Sequence, residues 1–128
     1  MTHTFKTDYL EADRIKECKD IIKKFPNRIP IIIKVQNGYT FFSKDKLPVL
    51  DKTKYLVPDN CTVVQFMLVL RKRLKVPETV GLYLLVDKDD GKAVSTIGTD
   101  LISKFYNEYK SSDGFLYMTI SAENAFGF

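Results

Sequence analysis

The spacing of apolar positions changes along the chain, and each change marks a structural element. From Glu11 to Lys24, Ile15, Cys18, Ile22 and Phe25 recur at three- and four-residue steps and form one face of a helix. Phe25-Pro26-Asn27 ends it, because proline disfavours helical backbone in the residue before it. Arg28 to Val35 is rich in β-branched residues and predicts a strand. Pro30 has no N–H to give to a ladder, so that strand needs a free edge or a bulge near its start. Gln36 to Lys46 reads as a loop with Asn37-Gly38 as a turn signal. A second strand lies around Lys54 to Val57 and stops at Pro58-Asp59-Asn60. Thr62 can then cap a helix running to about Lys75, closed by Val76-Pro77. Gly81 to Val86 forms a third strand, Asp87 to Gly91 a hairpin turn, and about Asp100 to Tyr109 a short helix. Phe115 to Ile120 is the last strand, followed by a tail.

Without its first helix the order is strand, strand, helix, strand, short helix, strand. That order predicts an α+β fold of the ubiquitin-like β-grasp type, a mixed four-stranded sheet over a central helix. Residues 1–27 would be an N-terminal helical extension, 28–121 the β-grasp core and 122–128 a flexible tail. The 128 residues suffice for one domain around a single core.

Two helices carry more apolar residues than a core face needs. In the central helix Val63, Met67, Leu70 and Leu74 form a core stripe, with Val64 and Leu68 on one flank. Phe66 and Val69 lie on the other flank beside Arg73; they either pack under the preceding loop or open a surface pocket rimmed by a base. In the first helix Ile21 sits at the margin of the apolar face, with Glu17 one turn before it and Lys24 one turn after. Against the Pro30 strand it would line a second pocket. Between the two runs Lys52-Thr53-Lys54-Tyr55-Leu56-Val57, basic and β-prone. Two apolar pockets beside a basic edge strand suit capture of an extended peptide by strand addition. Lys52, Lys54 and Arg28 would favour acidic flanks on that peptide.

Charge and composition narrow the chemistry. A net charge of +4 and a pI near 9.0 permit acidic partners, anionic membranes or nucleic acid. No recognition motif accompanies the charge, which disfavours nucleic acid. No run is apolar and long enough to span a bilayer, and Met1 to Lys6 has no signal-peptide pattern. Cys18 and Cys61 show neither a disulfide framework nor a ligand spacing, which points to a reduced, cytosolic protein. His3 is the single histidine, and the Asp87-x-Asp89-Asp90-Gly91 run has Gly98 where a calcium loop needs its bidentate Glu. No glycine-rich phosphate loop is present. Neither catalytic residues nor a metal or cofactor is expected. Gly127, penultimate after the last strand, suggests a C-terminus used as a reactive handle, since glycine can thread a narrow protease or ligase cleft. Phe128 would be a removable cap.

Several ordered motifs carry a resemblance. They are Phe25-Pro26-Asn27-Arg28-Ile29-Pro30, Leu47-Pro48-Val49-Leu50-Asp51-Lys52-Thr53-Lys54-Tyr55-Leu56-Val57-Pro58, Arg71-Lys72-Arg73-Leu74, Asp113-Gly114-Phe115-Leu116-Tyr117-Met118 and the Phe126-Gly127 tail. Together the chain resembles the autophagy ubiquitin-like modifiers, the family of microtubule-associated protein light chain 3 and the GABA-receptor-associated protein. The light chain 3 branch is the closer match, and the likeness runs from about Phe5 to Phe128.

The resemblance implies cleavage after Gly127 by a cysteine protease, transfer through an activating and a conjugating enzyme, and attachment to phosphatidylethanolamine on the autophagosome membrane. It also implies a groove for aromatic-x-x-aliphatic motifs of cargo receptors and adaptors. The aromatic residue's pocket would use Glu17, Ile21, Pro30, Ile32, Lys54, Leu56 and Phe115. The aliphatic residue's pocket would use Tyr55, Val57, Pro58, Cys61, Phe66 and Val69, with Arg28, Lys52 and Arg73 as a basic rim. The chain departs from familiar members in a longer Gln36–Lys46 loop bearing Tyr39, Phe41 and Phe42, and in Asp8 and Tyr9 where light chain 3 proteins have paired arginines. Cys61 stands where a branched or apolar residue is usual. The alternative is an unconjugated ubiquitin-like adaptor that uses only the peptide groove.

Overall fold

The computed structural model describes residues 4–36, 50–76 and 78–122. The Gln36–Lys46 loop beyond Gln36, with its three aromatics, and the tail with Gly127 and Phe128 lie outside the described residues.

Thr4 and Thr7 form a capping box around a four-residue helix, α1 (Phe5–Asp8), which the apolar spacing does not predict. There follow α2 (Glu11–Lys24), β1 (Arg28–Gln36) and β2 (Lys54–Pro58). Thr62 and Gln65 cap α3 (Val63–Leu74) reciprocally, and Lys75 ends it in the left-handed region at φ 56°. Then come β3 (Leu82–Asp87), β4 (Ala93–Ser95), α4 (Ile102–Tyr109) and β5 (Leu116–Ala122).

The sheet, expected to have four strands, has five among the described residues, in the order β2-β1-β5-β3-β4. The addition is β4, three residues long and too short to show a period. It pairs antiparallel with β3 through Leu85↔Ser95, Val86↔Val94 and Asp87↔Ala93. The expected turn at Asp87 to Gly91 is the tip of this hairpin, with Gly91 at φ 86°. The central pair β1 and β5 is parallel, and the remaining pairs are antiparallel.

β1 is buried on both faces, which explains its unbroken apolar run. Ile29, Ile31 and Ile33 join the main core with Val63, Phe66, Leu70 and Leu74 of α3. Ile32 faces the other way, against Cys18, Phe115 and Tyr117 under α2, with Phe5 and Ile21 at the margin. The core stripe of α3 is therefore Val63, Phe66, Leu70 and Leu74, while Met67 is half-buried. This corrects the expected stripe, which had Met67 in it and Phe66 on its flank. Both stripes fit the helical period, and the ring stacked edge-on against Tyr55 (5.5 Å) takes the interior position. A similar rotation applies to α2, where Ile21 packs inward and Ile22 and Phe25 are 38% and 39% exposed.

Pro30 has the free edge it needs near the start of β1, with no bulge in the β1–β2 register. Ile33 N–H donates to Thr53 C=O (2.8 Å) and Asp59 N–H to Asn27 C=O (3.1 Å), which fixes the alternation of hydrogen-bonded rungs between β1 and β2. Pro30↔Leu56 is a non-bonded rung, so the proline nitrogen faces β5, one residue before the first β1–β5 rung, Ile31↔Leu116.

Candidate peptide-docking site

β2 pairs only with β1 among the described strands, so its other side is a sheet edge. By the same alternation, Thr53, Tyr55, Val57 and Asp59 turn their backbone polar groups toward β1. Lys54, Leu56 and Pro58 turn theirs outward. Pro58 has no N–H to offer there, an acceptable place for proline in a sheet. Its C=O is taken by Cys61 N–H at 3.0 Å.

The side chains of β2 alternate between the sheet's two faces. Lys54 and Leu56 point to the α2 face, beside Ile32 and Pro30 respectively. Lys54 Nζ donates to Glu17 Oε1 at 2.6 Å, joining β2 to α2. Ile32 and Pro30 are buried, Phe115 is fully buried, and Ile21 is half-buried on the next turn of α2 after Glu17. All seven residues expected for the first pocket thus come to one face. Glu17 Oε2 is buried and has no hydrogen-bond partner among the described residues.

Phe5 joins this face without having been expected. Its ring meets Phe115 edge-on at 5.3 Å, and Lys54 Nζ lies 5.2 Å from its centroid. One aromatic in a polar segment gave no periodic signal; the Thr4-x-x-Thr7 cap was the available clue. Lys6 fixes α1 from the other side, donating to Asp89 at 3.1 Å. Burial alone would raise the Asp89 pKa, but the hydrogen bonds from Ser111, Lys6 and Ser112 hold it below the usual value.

Tyr55 and Val57 point to the opposite face and are buried against α3. Val69 of α3 is exposed and Cys61 is half-buried. Pro58, opposite Arg28, is exposed and falls by alternation on the face of Leu56, apart from the pocket expected of it. Burial raises the Cys61 thiol pKa, so it acts as an apolar filler. Phe66 can contribute only from beneath, through Tyr55. Of the basic rim, Lys52 Nζ lies 5.2 Å and the Arg73 guanidinium 5.9 Å from the Tyr55 ring centroid. Arg73 also meets Asp51 at 3.3 Å. Arg28 donates to the Leu56 C=O at 3.3 Å, touching the strand edge itself. A separate cleft of about 360 Å³ lies between the end of α2 and α4; of the expected residues it includes only Arg28.

Behind the first face, α2 is bolted to the start of β5. Asp113, whose side chain is fully buried, accepts from Arg14 and from the Tyr117 hydroxyl at 2.5 Å each, and from Phe115 N–H at 2.9 Å. Gly114, at φ 96°, passes so close that an added Cβ would stand 2.7 Å from Cys18 Sγ. Burial, then the nearby Asp113 charge, push the Cys18 thiol up to about 11, which fits core packing and not nucleophilic chemistry. Among the described residues no group of His, Cys, Asp and Glu could hold a metal, and no helix is long and apolar enough to cross a membrane.

Comparison with known proteins assigns this architecture. The profile of the family described as "Autophagy protein Atg8 ubiquitin like" matches residues 13–127. Autophagy-related protein 8 of Candida glabrata is 39% identical over 128 residues, covering 100% of this chain and 99% of its own length. The protein of the same name from Saccharomyces cerevisiae is 39% identical over 127 residues, covering 99% of each chain. That of Schizosaccharomyces pombe is 38% identical over 127 residues, covering 99% of this chain and 96% of its own. None of these names distinguishes the light chain 3 branch, which stays an expectation from sequence likeness alone. The chain belongs to the Atg8 family of ubiquitin-like autophagy proteins.

Proposed function

We propose that this protein is cut after Gly127, releasing Phe128, and then joined through the Gly127 carboxyl to the amine of phosphatidylethanolamine. The match of residues 13–127 to the Atg8 family, which reaches Gly127, supports this. The protein itself contributes only the reacting carboxyl. A cysteine protease, an activating enzyme and a conjugating enzyme hold the nucleophiles, so the protein is not an enzyme. It resides in the cytoplasm, and the two acyl chains of the lipid anchor the conjugate to the autophagosome membrane.

There it recruits cargo receptors and adaptors carrying aromatic-x-x-aliphatic motifs. One observation carries this reading: the edge of β2 turns Lys54 and Leu56 backbone outward, with an apolar cluster on each face of the same strand. The added strand gains backbone hydrogen bonds, and its alternate side chains drop onto the two faces.

Intact mass, read after expression in autophagy-competent cells with lysosomal turnover blocked, tests the conjugation. Loss of Phe128 with gain of a phospholipid, both absent in Gly127→Ala, is the expected result. Full-length mass in both proteins would instead favour an unconjugated adaptor, which the same groove would serve.

A further inference from the structure

We propose that the outward face of α3, with the strap formed by residues 97–101, is a second docking surface, taking an acidic amphipathic helix of a partner protein. Val64 and Leu68 stand one turn apart on α3 and are 49% and 55% exposed. Ile97 and Leu101, on the strap, are 66% and 44% exposed. The strap is held against the first turn of the helix: Val63 N–H donates to Asp100 C=O and Val64 N–H to Gly98 C=O, each at 2.9 Å. Exposed apolar side chains scattered singly are ordinary; four gathered on two adjoining segments are not.

This surface is distinct from the peptide groove. Leu68 and Val69 are consecutive residues and so stand about 100° apart around the helix. Val69 and Arg73 turn toward Tyr55, while Val64 and Leu68 turn away from it.

Charge identifies the occupant. Lys72 lies one turn beyond Leu68 and Lys75 one turn further, both exposed. Neither is in an ion pair among the described residues. At the other end Asp100 and Lys104 pair at 3.7 Å and compensate each other. The surface is thus apolar at one end and positive at the other. A lipid surface is served by bases flanking the apolar residues along their whole length. A one-ended charge matches a directional partner, a helix with an apolar stripe at three- and four-residue steps and acidic residues beyond one end of it.

The probe is a synthetic helical peptide of about five turns, ~18 residues, with leucines at that spacing and glutamates at one end. It is titrated into the full-length isotope-labelled protein by NMR, with the peptide groove already saturated by an aromatic-x-x-aliphatic peptide. Shifts should centre on Val64, Leu68, Ile97 and Leu101. Binding should weaken roughly tenfold in Leu68→Glu, in Lys72→Glu/Lys75→Glu, and for a peptide ending in lysines. The paired lysine variant keeps the test decisive should Leu68→Glu not fold. Equal binding of both peptides would overturn the proposal, as would shifts confined to β2 or none at millimolar peptide. So would shifts produced by phosphatidylserine vesicles and not by the peptide, or a dimer formed through the same residues.

Discussion

Glu17 and Lys54 meet at 2.6 Å across the seam between α2 and β2, and the contact uses only one oxygen of the carboxylate. The other oxygen is buried and without a partner among the described residues, an acceptor on the face expected to hold the first pocket. Leaving a buried acceptor unmade costs about 1–3 kcal/mol, so a ligand that donates to it gains on that scale. A peptide whose aromatic residue is tryptophan, with its indole N–H, should bind roughly tenfold tighter than its phenylalanine counterpart. In Glu17→Ala the preference should fall to about twofold. Calorimetry of both peptides on both proteins measures it; an undiminished preference in the variant would remove Glu17 from the pocket.

Phe66 and Val69 are three residues apart on one helix but act differently. Phe66→Ala should destabilise the fold by about 3–5 kcal/mol, because its ring is fully buried in the main core. Val69→Ala should change stability by less than about 1 kcal/mol and weaken the peptide several-fold. Leu56→Ala should weaken it more, with little loss of stability, since Leu56 is half-buried at the strand edge. Urea denaturation beside peptide titration separates these effects. A Val69→Ala protein that binds normally would confine the second pocket to Tyr55, Val57 and their neighbours.

Asp113 ties α2 to the start of β5 through one carboxylate. Asp113→Asn leaves Arg14, whose side chain is 11% exposed, without its counter-charge. Losing one partner of a buried pair costs about 3–5 kcal/mol. Denaturant unfolding should show a loss of that order; a loss under about 1 kcal/mol would mean that the pair is dispensable.

Cys18 gives a pH signature. Its thiol is pushed up to about 11 in the folded protein against an ordinary value of 9.0. The folded state therefore holds this proton more tightly, and the associated stability is full below pH 9.0 and lost as pH rises toward about 11. At its full extent the effect is on the order of 2–3 kcal/mol. Cys18→Ala should flatten the stability curve across that window. An unchanged curve would assign the alkaline loss to other groups.

Much of this architecture was legible in the chain because local signals agreed with tertiary demands. Thr62 and Gln65 announced the start of α3, and the β-branched run after Arg28 announced β1. The elements missed were those whose order comes from contacts distant in sequence. β4 exists because Leu85, Val86 and Asp87 give it a ladder, and α1 is held by Phe115, Tyr117 and Asp89. The α3 stripe was ambiguous because Phe66 and Met67 are both compatible with Val63, Leu70 and Leu74; only Tyr55 across the interface resolves it. The placing of Lys54 and Leu56 on one face and Tyr55 and Val57 on the other follows from strand alternation once β2 is in register with β1. The orphaned Glu17 oxygen does not, since it depends on where one lysine reaches.

Strand addition at β2 is tested most directly by amide hydrogen exchange with and without a saturating aromatic-x-x-aliphatic peptide. The amides of Lys54 and Leu56 face outward and should gain protection when the peptide pairs with them. Those of Tyr55 and Val57 already face β1 and should change little. Protection gained at Lys54 and Leu56 alone is the predicted result. No gain at either amide, with the peptide bound, would contradict the docking of a strand at this edge.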